Sequence, residues 1–575
     1  MLLTAQRRLS WKNLDGWTIG TVLIAILTMA PIAAVVYLAF TPSDNIWPHL
    51  AATVLPDYIA TTLTLMVGVG VGTLIIGVGA AWLVTMCRFP GRRMFEWGML
   101  LPMAMPAYII AYVYTDILEY AGPVQAMLRD MFGWSGKRDY WFPEIRSVGG
   151  AISMMTLVLY PYVYLLSRAA FLEQSVAMFE AGRCLGRGPW RSFFTIAVPL
   201  ARPGIVIGVS LVLMEALNDY GTVDFFAVNT FSLGIFDVWM NMNNVGGAAQ
   251  LATVMLLFVA LLVFLERSAR HSRRYHNTSS KYQALPGFQL VGARRWLATA
   301  GCLTPVFLGF VLPCAVLLAY ARQHYDSELT SEVLQHAANS VKLSVLAGAI
   351  AVVIAIVMAY SVRIKGGRGL LFASRIAAMG YAVPGAVLAV GVLIVLGNLD
   401  NSVDSFARRN FGISTGLIFS GTIAAVTFGY LVRFLALSLG TVEASLGKIT
   451  PSMDGASRSL GRNAFATLRH VHLPLIRGSV LTAILLVFVD CMKELPMTVI
   501  LRPFNFQTLA TFVHQYASDE QLGDAALAAL SIVGVGVLPV IVLSLSIAKS
   551  RPGQAQAQGK EPDAGTSSGG YLPLL

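Results

Sequence analysis

Long apolar stretches separated by short polar gaps recur from one end of the chain to the other. The first set runs Trp17 to Phe40, Tyr58 to Cys87, Phe95 to Leu118, Val148 to Leu172, Gly204 to Val228 and Gln250 to Leu265. A second set follows at Trp296 to Tyr320, Ser340 to Val362, Ala373 to Leu396, Gly416 to Leu439, Gly478 to Leu501 and Gly523 to Ala548. A helix rises about 1.5 Å per residue, so each stretch is long enough to cross a hydrocarbon layer of roughly 30 Å. The pattern predicts an all-α, polytopic membrane protein of about twelve spans.

The polar gaps alternate in charge. Arg7, Arg8 and Lys12; Arg88, Arg92 and Arg93; Arg183, Arg187, Arg191 and Arg202; and the run from Arg267 to Arg295 fall in alternate connections. Arg363, Lys365 and Arg368, then Arg458, Arg462, Arg469 and Arg477, continue the series. The positive-inside rule places these gaps and both termini in the cytoplasm, with acidic or mixed loops such as Asp326, Glu328 and Glu332 outside. The net charge of +11 is therefore spent on orientation, and nucleic acid is not an expected partner. At 56% hydrophobic and 12% charged, the chain is too apolar for a soluble domain. Its first apolar run is too long for the core of a signal peptide and reads as a retained anchor. Cys87, Cys184, Cys302, Cys314 and Cys491 form no CxxC pair, so neither a disulfide framework nor a zinc site is expected.

The second half repeats the first. Thr61 to Leu65 matches Asn339 to Leu343, Ala81-Trp82 matches Ala359-Tyr360, and Met105-Pro106-Ala107 matches Val383-Pro384-Gly385, all at a shift of 278. An even number of spans per unit preserves orientation, giving two parallel six-helix repeats. The expected organisation is a first half over 1–265, a basic linker over 266–295, a second half over 296–548 and a disordered tail over 549–575. The excursion from Glu119 to Ser147 carries Trp134, Tyr140, Trp141 and Phe142, which suit an interfacial aromatic belt.

One gap element is itself duplicated: EAGRCLGRGPWRSFFTIAVP from Glu180 to Pro199 returns as GASRSLGRNAFATLRHVHLP from Gly455 to Pro474, at a shift of 275. Each copy reads as a short helix stopped at Gly186 or Gly461, then a second helix ending at the proline before the next span. Small Ala181 and Gly182 would let another protein seat against the backbone.

This spacing resembles the EAA loop of ABC importer permeases, in which EAA is followed by a glycine and then Ile-x-Leu-Pro. Glu180, Ala181, Gly182, Gly186, Ile196, Val198 and Pro199 take those positions in the first copy; Gly455, Ala456, Ser457, Gly461, Val471, Leu473 and Pro474 take them in the second, where Gly455 replaces the acid. With the adjoining Leu185, Arg187, Leu460 and Arg462, these residues are the expected ATPase-coupling set. The segments Leu217 to Phe231 and Lys493 to Ala510 resemble fused iron(III) permeases of bacterial ferric importers. The resemblance implies a type I importer permease fold in the bacterial inner membrane, two copies of a cytoplasmic ABC ATPase and a periplasmic substrate-binding protein as partners. It implies no cofactor on this chain, ATP being used by the partner subunits. Importers of 2-aminoethylphosphonate, thiamine or polyamines share much of the pattern. No GxxxxGK[ST] phosphate loop is present, so the chain is not expected to be an enzyme.

At the same shift Glu215, Asn218 and Asp219, with Tyr220 beside them, match Asp490, Lys493 and Glu494. Ionisable groups in a span face a bundle interior or a cavity, or else cap and pair near helix ends, and both readings stand for these residues. His470 and His472, two apart on a helix, do not share a face and suit a solvated or ATPase-facing role better than a metal site. An ion-driven secondary transporter also has repeats and buried charges, but gives no reason for two docking elements. A membrane-embedded enzyme finds no recurring nucleophile and base.

Overall fold

Some of the long apolar stretches fold as more than one helix, with a proline or a capping carboxylate at the break. The computed structural model describes residues 15–271 and 288–549, except 43, 173, 175 and 187; Arg187, most of the expected linker and the expected tail from 550 lie outside the described residues. Among the described residues, helices long and apolar enough to cross a membrane number 11, or 12 if a bent pair is one span.

That pair is Arg92–Ala104 with Ala107–Phe132, bent by 88°. Its hinge is Pro106, which adopts an extended conformation (φ −61°, ψ 144°) immediately before the second helix. Pro384, its repeat partner, does the same (φ −57°, ψ 144°) and opens Gly385–Phe411. Proline has no N–H to donate into a preceding turn, so an apolar run containing it reads as one span and folds as two pieces. The runs Gly204–Val228 and Gly478–Leu501 are shifted for another reason. Their helices start early, at Trp190 and Ala464, and stop at Asn218 and Met492, where the chain turns before a new short helix.

The helices pack into two compact units. One gathers the chain up to Leu55 with Phe231–Leu256 and Ser327–Phe512; the other gathers Pro56–Thr230, Leu257–Asp326 and the chain from Val513. In the first unit Gly16–Phe40 lies along Ser327–Lys365, Arg368–Ala377 and Gly385–Phe411. In the second, Val148–Leu172 packs along Val198–Asn218, and the helix Leu312–Gln323 packs along Leu522–Lys549. Each unit thus takes its opening helix or its closing helix from the other half of the sequence.

Lipid tails are as apolar as leucine, so helices in a bilayer hold together by close backbone approach at small residues more than by hydrophobic transfer. The core of the first unit accordingly contains Ala25, Ala355, Ala359, Ala373 and Ala377 beside Leu435, Leu439 and Leu446. Gly391 is one such close approach, since a Cβ there would overlap the Pro31 carbonyl. In the second unit Gly208 meets the Val163 backbone, where a Cβ would lie 2.9 Å from Cα. The excursion after Leu118 forms a helix, Pro123–Phe132, followed by a stack of Phe132, Trp134 and Tyr140 with ring centroids 4.8 and 4.6 Å apart.

Gly391→Ala is expected to destabilise the detergent-purified protein by about 1–3 kcal/mol through overpacking. Gly397→Ala, where an added Cβ meets nothing, should melt like the parent; equal melting of the two variants would show that the Pro31 contact is unimportant.

Candidate functional site: the docking elements and the breaks after them

Both docking elements adopt the helix, turn and helix expected. The first helix is Val176–Cys184 and the second copy is Pro451–Ser459. Gly186 and Gly461 sit at φ +71° and +77°, with open space where a Cβ would be, so glycine is required by the left-handed turn and not by crowding. In the second copy the Arg462 N–H donates to the Ser457 carbonyl at 3.1 Å and Gly461 N–H to that of Arg458 at 3.0 Å, satisfying the helix end.

The following helices do not stop at Pro199 and Pro474. Short π-helical segments, Phe193–Ala197 and Leu468–His472, precede the prolines, and the helices run on into Val198–Asn218 and Leu473–Met492. Proline is tolerated because the widened turn leaves no bond that requires its missing N–H. The result is one continuous rod from each docking turn to the far end of a span.

The side chains of the coupling set divide by face. Glu180, Ala181, Leu185, Gly186, Gly455, Ala456, Leu460, Gly461 and Arg462 are exposed. Gly182 and Ser457 are not. The space expected to admit a partner at Gly182 is taken by Ile196, whose Cδ1 lies 2.8 Å from the position of a Cβ, and Ser457 Oγ lies 2.8 Å from Thr467 Oγ1. Small residues here close each hairpin on itself. Within the exposed set, Leu185 and Leu460 are 76% and 79% exposed; outside it, Trp190 and Phe465 are 69% and 60% exposed. Met178 and Met453 add a third exposed pair at the same shift.

After the spans, Asp219 and Glu494 each cap the next short helix. Asp219 accepts from the N–H groups of Thr222 and Val223 at 2.9 and 3.3 Å and from the Thr222 hydroxyl at 3.0 Å. Glu494 accepts from the N–H groups of Met497 and Thr498, both at 3.0 Å, and from the Thr498 hydroxyl at 2.7 Å. It also accepts from buried Arg433 at 3.1 Å. Asp490 and Lys493 pair at 3.0 Å and remain partly open, while Glu215 and Asn218 are half-buried and Tyr220 is buried.

Three groups escaped the sequence reading. Arg433 was visible as a lone charge in the run Gly416–Leu439, but its partner was not. His514 meets the Tyr112 hydroxyl at 2.7 Å through Nδ1, with Asp224 Oδ2 3.6 Å from Nε2 and the Tyr220 ring 5.6 Å away. These residues are far apart in sequence, so no local motif announces them. Burial pushes the His514 imidazole down to about 4. His472 is the third: expected to be solvated or ATPase-facing, it is 1% exposed and lies 2.7 Å from Asp454, while His470 is exposed as expected. Among the described residues no group of three His, Cys, Asp or Glu is placed to hold a metal ion.

Glu494→Ala strands a buried arginine and is expected to cost about 3–5 kcal/mol, against about 1 kcal/mol for Asp219→Ala, which removes a cap alone. Equal losses in chemical denaturation would refute the assigned difference. The native pKa of His514 lies below the ordinary 6.5, so the unfolded chain binds the extra proton between those values and stability falls as pH drops through that window. The melting temperature of His514→Gln should depend less on pH from 6.5 to 4 than that of the parent.

Comparison with known proteins places this arrangement. Residues 73–273 match the family described as binding-protein-dependent transport system inner membrane component. The Fe(3+)-transport system permease protein FbpB 2 of Haemophilus influenzae is 25% identical over 492 residues, covering 85% of this chain and 89% of that protein. The ferric transport system permease protein FbpB of Actinobacillus pleuropneumoniae is 21% identical, covering 92% of this chain and 78% of its own length. The molybdenum transport system permease protein ModB of Escherichia coli is 29% identical over 38% of this chain and 96% of its own. Residues 73–273 belong to the binding-protein-dependent inner-membrane component family, and the chain is a multi-pass permease of the ABC importer type.

Proposed function

We propose that this chain is the membrane-spanning permease subunit of an ATP-driven iron(III) importer, receiving its cargo from a periplasmic binding protein and driven by two copies of a cytoplasmic ATPase. The observation that carries the reading is the docking element, present twice, with the same exposed apolar pairs (Met178/Met453, Leu185/Leu460, Trp190/Phe465) around a left-handed glycine. Exposed apolar groups clustered on a polar face are suited to a protein partner. Two equivalent patches call for two partner copies. Iron as cargo is supported by ferric permeases that span most of this chain and are spanned by it.

In this reading both termini are cytoplasmic and ATP is hydrolysed outside this chain. The continuous rod from each docking turn through its π-helical segment carries ATPase movement to the ends of the spans at Asn218 and Met492. There Glu215, Asn218, Tyr220, Asp490 and Lys493 line the path, while Asp219 and Glu494 hold the adjoining helices in place.

Leu185→Glu with Leu460→Glu should abolish co-purification of the ATPase while leaving membrane insertion intact. Gly186→Pro or Gly461→Pro, incompatible with a positive φ, should retain the ATPase and lose its stimulation by loaded binding protein. Retained ATPase in the first pair and full stimulation in the second would remove the coupling assignment. Labelled iron uptake should fall in a deletion strain; unchanged uptake, with an organic ligand on the binding protein, would overturn the cargo and leave the architecture.

A further inference from the structure

The two docking helices occupy equivalent places in the repeat, but the side chains anchoring them belong to different chemistry. Behind the first, Trp82 is surrounded by Phe171, Phe179, Phe193 and Phe288, with ring centroids 5.9, 6.4, 5.0 and 6.3 Å away. At the repeat shifts, Trp82 corresponds to Tyr360, Phe171 to Leu446, Phe179 to Asp454, Phe193 to Leu468 and Ala197 to His472. An aromatic cluster has become a charged one.

Asp454 is its node. Its Oδ2 accepts from Arg363 Nε and Nη2 at 3.1 and 2.9 Å, and its Oδ1 lies 2.7 Å from His472 Nε2. Arg363, in the last turn of Ser327–Lys365, also donates to the carbonyls of Leu446, the last residue of Ile423–Leu446, and of Ile449 just beyond it, at 2.5 and 2.9 Å. The His472 ring packs 5.4 Å from that of Tyr360, whose hydroxyl donates to the Ala464 carbonyl at 2.8 Å. One carboxylate on the docking helix therefore holds Arg363, which itself joins two span ends, and lies against His472 of the π-helical segment that leads into a third span.

We propose that Asp454 is the positioning residue through which the second docking helix pulls on its spans, a directional anchor where the first helix has a compliant aromatic one. The inference rests on the importer reading above. Apolar contact is non-directional, and rings slide over one another at little cost. A forked arginine–carboxylate contact fixes angle as well as distance, and in a partly buried site it is screened less than on the surface. The second element lacks an acid at Gly455, where the first has Glu180 exposed, and carries its acid one residue earlier, turned inward. Its grip is on its own spans.

The test uses the complex of this chain with its ATPase and binding protein in lipid nanodiscs, measuring ATPase retained, basal hydrolysis and stimulation by loaded binding protein. Asp454→Asn is expected to retain the ATPase and basal hydrolysis and to lose at least about fivefold of the stimulation, the lower range of an ordinary coupling energy. Asp454→Glu should restore most of it, which a loss of fold would not allow. If Asp454→Asn cannot be purified, His472→Gln, which keeps the arginine pair, should show a partial loss of stimulation at full ATPase retention. Stimulation within twofold of the parent in the variant that is measured, or its loss together with the bound ATPase, overturns the proposal. A parent complex that never responds to loaded binding protein instead refutes the importer reading on which it rests.

Discussion

In hydrocarbon no water is available to a backbone N–H or C=O that leaves a helix, so every interruption in a span needs its partner supplied by the chain itself. That constraint explains where this protein's helices break and what stands at each break. At Pro106 and Pro384 the interruption falls on a residue with no N–H to satisfy. After Asn218 and Met492 the freed N–H groups of the next helix are met by the carboxylates of Asp219 and Glu494. Before Pro199 and Pro474 the helix widens into a π-turn instead of ending. Three local solutions recur in both halves, and together they set where the long helices begin and end.

Span number and the turns of the duplicated element were legible because they depend on local properties: runs of apolar residues, and a glycine after a short helix. Gly186 and Gly461 are clear cases, their positive φ following from residue type and position alone. Partnership across long separations was not legible. Glu494 reads identically as a path residue or a cap until Arg433 is found beside it, 61 residues away in sequence. His472 reads as a solvated or ATPase-facing histidine because it lies in the basic gap element two residues from His470, yet the carboxylate it meets, Asp454, comes from the first helix of that element. Gly182 was misread for a related reason. A small residue signals close approach without saying whose atoms approach, and here they belong to Ile196 of the same hairpin.

The units likewise depend on contacts that the linear order conceals. A repeat found by aligning residues at a fixed shift suggests halves that follow each other, while the compact units are discontinuous, each borrowing helices from the other half. Small residues make this exchange feasible. Gly391 and Ala25 let the opening helix lie close against helices more than three hundred residues later, a distance no local propensity registers. Covalent fusion makes such an exchange local in concentration even though it is distant in sequence.

Fusion also frees the two docking elements from being identical. In a symmetric pair any change to one anchor is imposed on the other, whereas here Trp82 with its phenylalanines and Asp454 with Arg363 and His472 fill the same place by different means. The exposed surfaces are alike, with leucine at 185 and 460 and an aromatic at 190 and 465. The inward surfaces differ, each facing its own spans. A partner that engaged both elements would therefore meet two differently built anchors, one aromatic and one charged.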